Sequence, residues 1–270
     1  MARASGSEAR SIIRAGRWRR PTGGVAEGYV QANLVVLPHA FADSFAEFCS
    51  RNPRPCPLLD VTEPGSPESR RAAPKADLRT DLPRYRVYED GVLKAEIENL
   101  REPWRADFVG FLLGCSFSFE TALARAGVPL RHVELNSNVA MYRTNQLCEP
   151  AGPFHGPLVV SMRPVPLDLV PVVCSITARF SKAHGGPVHV GDPADLGIRD
   201  LEHPDYGDPL PIRPGETPVF WACGVTPQAA AEAARIPLML THAPGHMLIT
   251  DLREQDVTDA HPLADGVSAD

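Results

Sequence analysis

The sequence has no long hydrophobic run. Stretches such as Phe108–Gly114 fall far short of the roughly 20 apolar residues that a bilayer-spanning helix needs, so no membrane partner is expected. There is no surplus of positive charge either. Net charge is −6 and the pI is about 5.9, which gives phosphate-backbone binding no electrostatic support, and no nucleic acid is expected as a partner. The six cysteines form no CxxC pair and no compact framework. The Arg-rich beginning (Arg3, Arg10, Arg14, Arg17, Arg19, Arg20) lacks the apolar centre of a secretion signal. Free thiols in a reducing cytoplasm are therefore the expectation.

Proline is what the sequence has in excess, with 28 residues, about twice ordinary usage. The prolines are scattered among apolar runs and read as rigid loop residues. Hydrophobic residues make up 43% and charged residues 22%, which suits a globular chain with one substantial core and a smaller second lobe.

Local patterns sketch the elements. Residues 8–20 suit a short helix, followed by a glycine-rich turn at 22–28. QANLVVL (31–37) reads as a buried strand closed by Pro38, and Phe41, Phe45 and Phe48 have helical spacing. Residues 60–80 are expected as an exposed loop, 84–89 as a strand, and Asp90-Gly91 as a turn. Asp107–Leu113 reads as a strand, with Ser118 as N-cap of a helix that stops at Gly127. The pattern returns at Thr217–Ala222, with Thr226 as N-cap and Pro227 opening a helix. Placing Cys115 on Cys223 without a gap also brings Ser118 to Thr226 and Val128-Pro129-Leu130 to Ile236-Pro237-Leu238. An internal duplication and a chance match both account for this. Between the copies, 131–135, 140–144, 158–162 and 172–179 read as strands of an inserted two-layer α/β lobe.

The expected architecture is α/β: one core from 1–125 and 181–258, an inserted two-layer lobe at 126–180, and a flexible tail at 259–270.

Three constellations could carry chemistry. A helix N-terminus favours anions and lowers the pKa of a nearby thiol, so Cys115 and Cys223 are candidate reactive groups in one cleft, with Ser116, Ser118 and Thr226 as candidate binding groups. The alternative is that both cysteines are small buried hydrophobes. His184 and His189 in HGGPVHVGDP, and His242 and His246 in THAPGHM, lie on Gly/Pro turns. His184 and His242 are candidate proton carriers, and Asp192 is a candidate binding group. The spacing fixes no metal site, so neither metal nor cofactor is expected. Arg163, after an apolar strand, suits carboxylate binding or a surface salt bridge.

Several blocks stand in one order: GYVQANLVVLP (28–38), FCSRNPRPCPLLDVTEPG (48–65), DLRTDLPRYRVYEDG (77–91), FLLGCSFSFE (111–120), VVSMRP (159–164), HGGPVHVGDP (184–193), PDYGD (204–208), PVFWACGVTPQ (218–228) and THAPGHMLITD (241–251). Together they resemble the hydro-lyase family related to D-glutamate cyclase. The resemblance implies a carbon–oxygen lyase that cyclises glutamate, the D form favoured, to 5-oxoproline with loss of water. It also implies a three-layer core with an inserted domain. The alternative is a non-catalytic binding protein for a small carboxylate. Homo-oligomerisation is left open.

Overall fold

QANLVVL is the middle of β1 (Tyr29–Pro38), a strand buried along nearly its whole length in the computed structural model, which describes residues 1–259. Such a run is continuously apolar because both faces of the strand are covered. Val35 and Leu37 pack with Phe45 and Phe48 of α2 (Ala42–Arg51), while Ala32, Leu34 and Val36 pack with Ala72, Ala73, Ala76 and Leu78. On one side β1 pairs with β7 (Phe108–Gly114) along its length. Its other side is shared end to end by β12 (Leu238–His242) and β13 (Leu248–Arg253). The sheet continues from β7 to β2 (Leu58–Val61), and from β12 to β5 (Tyr85–Glu89) and β6 (Val92–Ile97). Asp90 and Gly91, both at positive φ, turn β5 into β6 as an Asp-Gly hairpin turn requires.

A second sheet has the order β10 (His189–Val190), β11 (Glu216–Ala222), β9 (Pro157–Pro166), β8 (Ala140–Leu147). Every pairing in both sheets is antiparallel. The chain is mixed α/β. β9 pairs with β11 from Val160–Ala222 to Pro166–Glu216, so the boundary expected at 180 falls inside one sheet. The two candidate repeats share local form, strand then cysteine then helical turn, but β7 and β11 belong to different sheets. Their ends are therefore not neighbouring strand ends, as expected for an open α/β sheet.

Two expected strands are helical. Arg131–Glu134 is a single helical turn, α4, and Val170–Ala178 is α5. The β-branched run Val170–Thr177 suggests a strand, but Pro171 opens a helix and only Val173 and Thr177, four apart, are buried. Thr177 Oγ1 accepts a hydrogen bond from the Trp221 indole at 3.2 Å, which fixes α5 on β11. Residues 60–80 are not an exposed loop. The Asp60 carboxylate accepts hydrogen bonds from Ser69 Oγ (2.7 Å) and the Arg71 and Ala72 backbone N–H groups (2.9 and 3.2 Å), folding the segment onto the sheet.

The first helix, α1 (Gly6–Arg14), is shorter than expected and starts from a capping box of Ser5 and Glu8. Of the tail expected from 259, Asp259 bonds the Arg179 carbonyl and Ser181, and 260–270 lie outside the described residues. Among the described residues no helix is long and apolar enough to cross a membrane.

Candidate functional site

β7 ends at Gly114, where the chain turns abruptly. An added Cβ there would meet the Lys182 carbonyl oxygen at 1.8 Å, so only glycine fits. Cys115 Sγ then accepts the Phe117 N–H (3.5 Å), capping a 3₁₀ turn at Ser116–Phe119 that leads into α3 (Glu120–Arg125). Ser118, expected to cap this helix, lies inside the turn, and its Oγ accepts the Gln31 backbone N–H at 3.1 Å. The turn is thereby fastened to β1.

Glu120, at the start of α3, is 4% exposed and is met by two basic side chains. Arg163 of β9 donates from Nε (3.1 Å) and Nη2 (2.5 Å) to Glu120 Oε1, and from Nη2 to Ser116 Oγ (3.1 Å). Nη1 lies 3.4 Å from Ser161 Oγ. The guanidinium sits over the rings of Phe119 and Trp221 at 5.3 and 5.5 Å. His132 of α4 brings Nε2 to 3.0 Å from Glu120 Oε1, at an angle short of an in-line hydrogen bond, and its ring stacks on Phe117. Burial alone would raise the Glu120 pKa. His132 and Arg163 outweigh it and hold the carboxyl at about 2.

A cavity of about 370 Å³ opens over this cluster. Gly24–Glu27, Tyr29 and Gln31 line one side, and Phe117, Glu120, Thr121, Arg125 and Val133 line the other. A smaller hollow of about 110 Å³ shares Phe117 and Val133 with it and is lined by Trp18, Arg20, Gly23 and His132. Glu120 thus borders the larger space and His132 the smaller one. The Arg20 guanidinium stacks 4.4 Å over Trp18 and makes no ion pair among the described residues.

The residues singled out in the sequence divide. Ser116 and Arg163 belong to the Glu120 cluster, and Arg163 is turned to Glu120, not toward a second carboxylate across a cleft. Cys115 and Cys223 share one apolar cluster with Phe117, Met141 and Met247. Burial raises both thiol pKa values, that of Cys223 to about 11, the reverse of the lowering expected at a helix end.

His184 is buried at positive φ, its Nδ1–H donating to the Arg54 carbonyl at 2.7 Å, and burial lowers its pKa to about 4. His242 sits apart from it, with Nδ1 at 3.1 Å from both Leu34 N and Leu34 O and with Gln228 beside it. Burial lowers its pKa to about 4 as well. Thr226 is the first helical residue of α6 (Thr226–Ala233), not its cap, and its hydroxyl clamps β9 by accepting the Val159 N–H at 3.0 Å. Asp192 caps an exposed turn through the Ala194 N–H, beside a different cavity. Among the described residues no three of His, Cys, Asp or Glu gather into a metal-ligand set.

Glu120, His132 and Gln31 had not been singled out. The available signal was Arg163 itself: an arginine inside the apolar run VVSMRPVP needs a buried acid, and Glu120 follows the apolar turn SFSF.

The profile of the D-glutamate cyclase family matches residues 109–251, which contain Glu120, His132 and Arg163. "Putative hydro-lyase GK2103" of Geobacillus kaustophilus is 58% identical over 253 residues, 94% of this chain and 96% of that one. "Putative hydro-lyase YcsI" of Bacillus subtilis is 55% identical over 250 residues, 93% and 97% of the two chains. A nitrogen repressor-like protein from Methanococcus jannaschii, of known crystal structure, aligns over 87% of this chain and 91% of its own, with a TM-score of 0.37 and 10% identity, too slight a likeness to bear an argument. With a matched profile over more than half its length and relatives this similar from end to end, the chain belongs to the D-glutamate cyclase family of hydro-lyases, which are carbon–oxygen lyases.

Proposed function

We propose that this enzyme cyclises glutamate, the D form favoured, to 5-oxoproline with release of water. The observation that carries the reading is the Glu120–His132 contact, buried where the two hollows adjoin. In the reaction the α-nitrogen attacks the γ-carboxyl carbon, a C–N bond forms and a C–O bond breaks. The substrate ammonium gives up two protons and the carboxylate one oxygen, and these leave together as water. An imidazole that takes protons at nitrogen and returns them at oxygen balances the reaction. His132 is that group, and Glu120 orients its ring.

A substrate held with its amine and γ-carboxyl both at the Glu120–His132 contact would gain proximity, which lowers the barrier by several kcal/mol in general. Arg20, which lines the smaller hollow with His132 and makes no ion pair among the described residues, is placed to receive a carboxylate. In this reading Cys115 and Cys223 pack and do not attack, since a buried thiol with a raised pKa is a poor nucleophile at neutral pH. Arg163 and Ser116 hold Glu120 in place.

The test is a panel of D- and L-amino acids and their hydroxy analogues, followed by mass for loss of one water. Turnover of D-glutamate to 5-oxoproline supports the reading. Tight binding of small dicarboxylates with no water loss anywhere in the panel would favour a carboxylate-binding protein instead.

A further inference from the structure

Cyclisation needs an amine, but dehydration in general does not, and two residues that line the cavity bear on the choice. Gln31 is 3% exposed. Its Nε2 donates to the Thr22 carbonyl (2.8 Å) and the Val25 carbonyl (3.3 Å). Both partners accept only, so the amide nitrogen must point to them. That leaves Oε1 as the end that no donor among the described residues meets. Glu120 commits Oε1 to Arg163, and its Oε2 is likewise buried without a donor among the described residues. Both residues line the 370 Å³ cavity.

Buried acceptors without donors are costly and rare, and here two of them belong to residues that line one cavity. Among the described residues no arginine or lysine pairs with either atom, and His132 Nε2 stands against the other Glu120 oxygen, Oε1. Arg163 turns its nitrogens to Glu120, Ser116 and Ser161, and the Arg125 guanidinium on the rim lies 3.3 Å from Glu254.

We infer that Gln31 Oε1 and Glu120 Oε2 are the receiving atoms of an ammonium subsite, which makes the cavity selective for amino acids over hydroxy acids of the same carbon frame. The inference deepens the substrate reading above and rests on it. A primary ammonium carries a charge and three N–H donors, enough for both acceptors. A hydroxyl is neutral and donates once, so one acceptor is left bare. Because His132 and Arg163 keep Glu120 ionised, its charge is present throughout the neutral range.

The experiment measures binding by calorimetry to D-glutamate, D-2-hydroxyglutarate and glutarate, and to propylammonium and propionate as minimal probes. Hydrogen bonds to charged groups contribute enough for roughly a 10- to 100-fold preference. D-Glutamate should therefore bind at least about tenfold more tightly than its hydroxy analogue, and propylammonium should bind where propionate does not.

Gln31→Met keeps the length and removes the acceptor. With its melting curve and circular dichroism unchanged, this variant should lose most of the amine preference. Equal affinity of the amine and hydroxy ligands for the native protein overturns the inference, and so does a preference that survives intact in Gln31→Met. Should that variant fail to fold, the native ligand panel decides alone.

The two readings fail separately. Gln31-dependent binding of propylammonium without 5-oxoproline formation keeps the subsite and removes the cyclase. 5-Oxoproline formation with no amine preference does the reverse.

Discussion

Arg163 Nη2 and Glu120 Oε1 stand 2.5 Å apart, both side chains almost shut off from solvent, one from the second sheet and the other from the helix that follows β7 of the first. The pair joins the two sheets by charge as well as by packing. Buried ion pairs contribute little beyond a well-packed apolar replacement, but removing one partner alone is severe.

Glu120→Gln should leave Arg163 buried without its counter-charge and destabilise the fold by about 3–5 kcal/mol. Arg163→Met should cost a similar amount, and the double variant less than the sum of the two. Urea unfolding of the four proteins measures the coupling. Additive losses would show that the pair does not act as a unit. From its sequence position Arg163 suits carboxylate binding or a surface salt bridge. Its engagement by Glu120, Ser116 and Ser161 makes stability the first casualty instead.

His132→Asn should lower kcat by at least about a hundredfold, within the usual range for a general acid–base group, with a much smaller change in KM. The pH profile is the decisive readout. A limb present in the native enzyme should vanish in the variant. An unchanged profile would move the proton-carrying role to another residue.

His184 and His242 set an acid limit on stability. Burial holds both near pKa 4 in the folded chain, against about 6.5 when unfolded. Between those values the unfolded state binds more protons, so stability falls as pH falls from about 6.5 to about 4, by roughly 3 kcal/mol for each ring. Glu120 acts in the same direction lower down. Its folded value of about 2 means that its contribution is lost as pH falls from about 4.3 toward 2. Urea midpoints measured from pH 7.5 to 4 should show the first slope, and His184→Asn should reduce it. A flat profile above pH 4.5 would contradict the assignment.

Five of the six cysteines are buried and Cys174 is partly exposed. In the native protein at pH 8, a bulky thiol reagent should label Cys174 first, with Cys115 and Cys223 reacting only on unfolding. Rapid labelling of Cys223, with loss of turnover, would restore the thiol chemistry that its helix-end position suggests.

Much of the scaffold is legible in the sequence because it is written locally. β1 is an uninterrupted apolar run, the Phe41–Phe45–Phe48 spacing gives α2, and Asp90-Gly91 gives the hairpin. The partition into sheets is not legible. Nothing in residues 157–166 or 216–222 alone states that the two strands pair with each other. α5 misleads because its β-branched residues favour a strand, while Pro171 and the packing of Thr177 on Trp221 settle it as a helix. The candidate site was half visible: Ser116 and Arg163 lie in it. Glu120 looks like any acidic first-turn residue, and His132 lies in a segment that reads as a strand. Only the meeting of β9, α3 and α4 makes them a group.

The cavity's two sides come from stretches far apart in the chain, joined where the Gln31 N–H meets Ser118 Oγ across a separation of 87 positions. Thr22 ties the same wall to the turn between β12 and β13, donating from its N–H to the Gly245 carbonyl at 2.8 Å. The container therefore closes only after the first strand, the seventh and the last two have found one another. Glu120, His132 and Arg163 can meet without residues 22–31, but they would then face water. A ligand seated between the two sides would therefore brace residues 22–31 against α3, and should protect that segment against proteolysis.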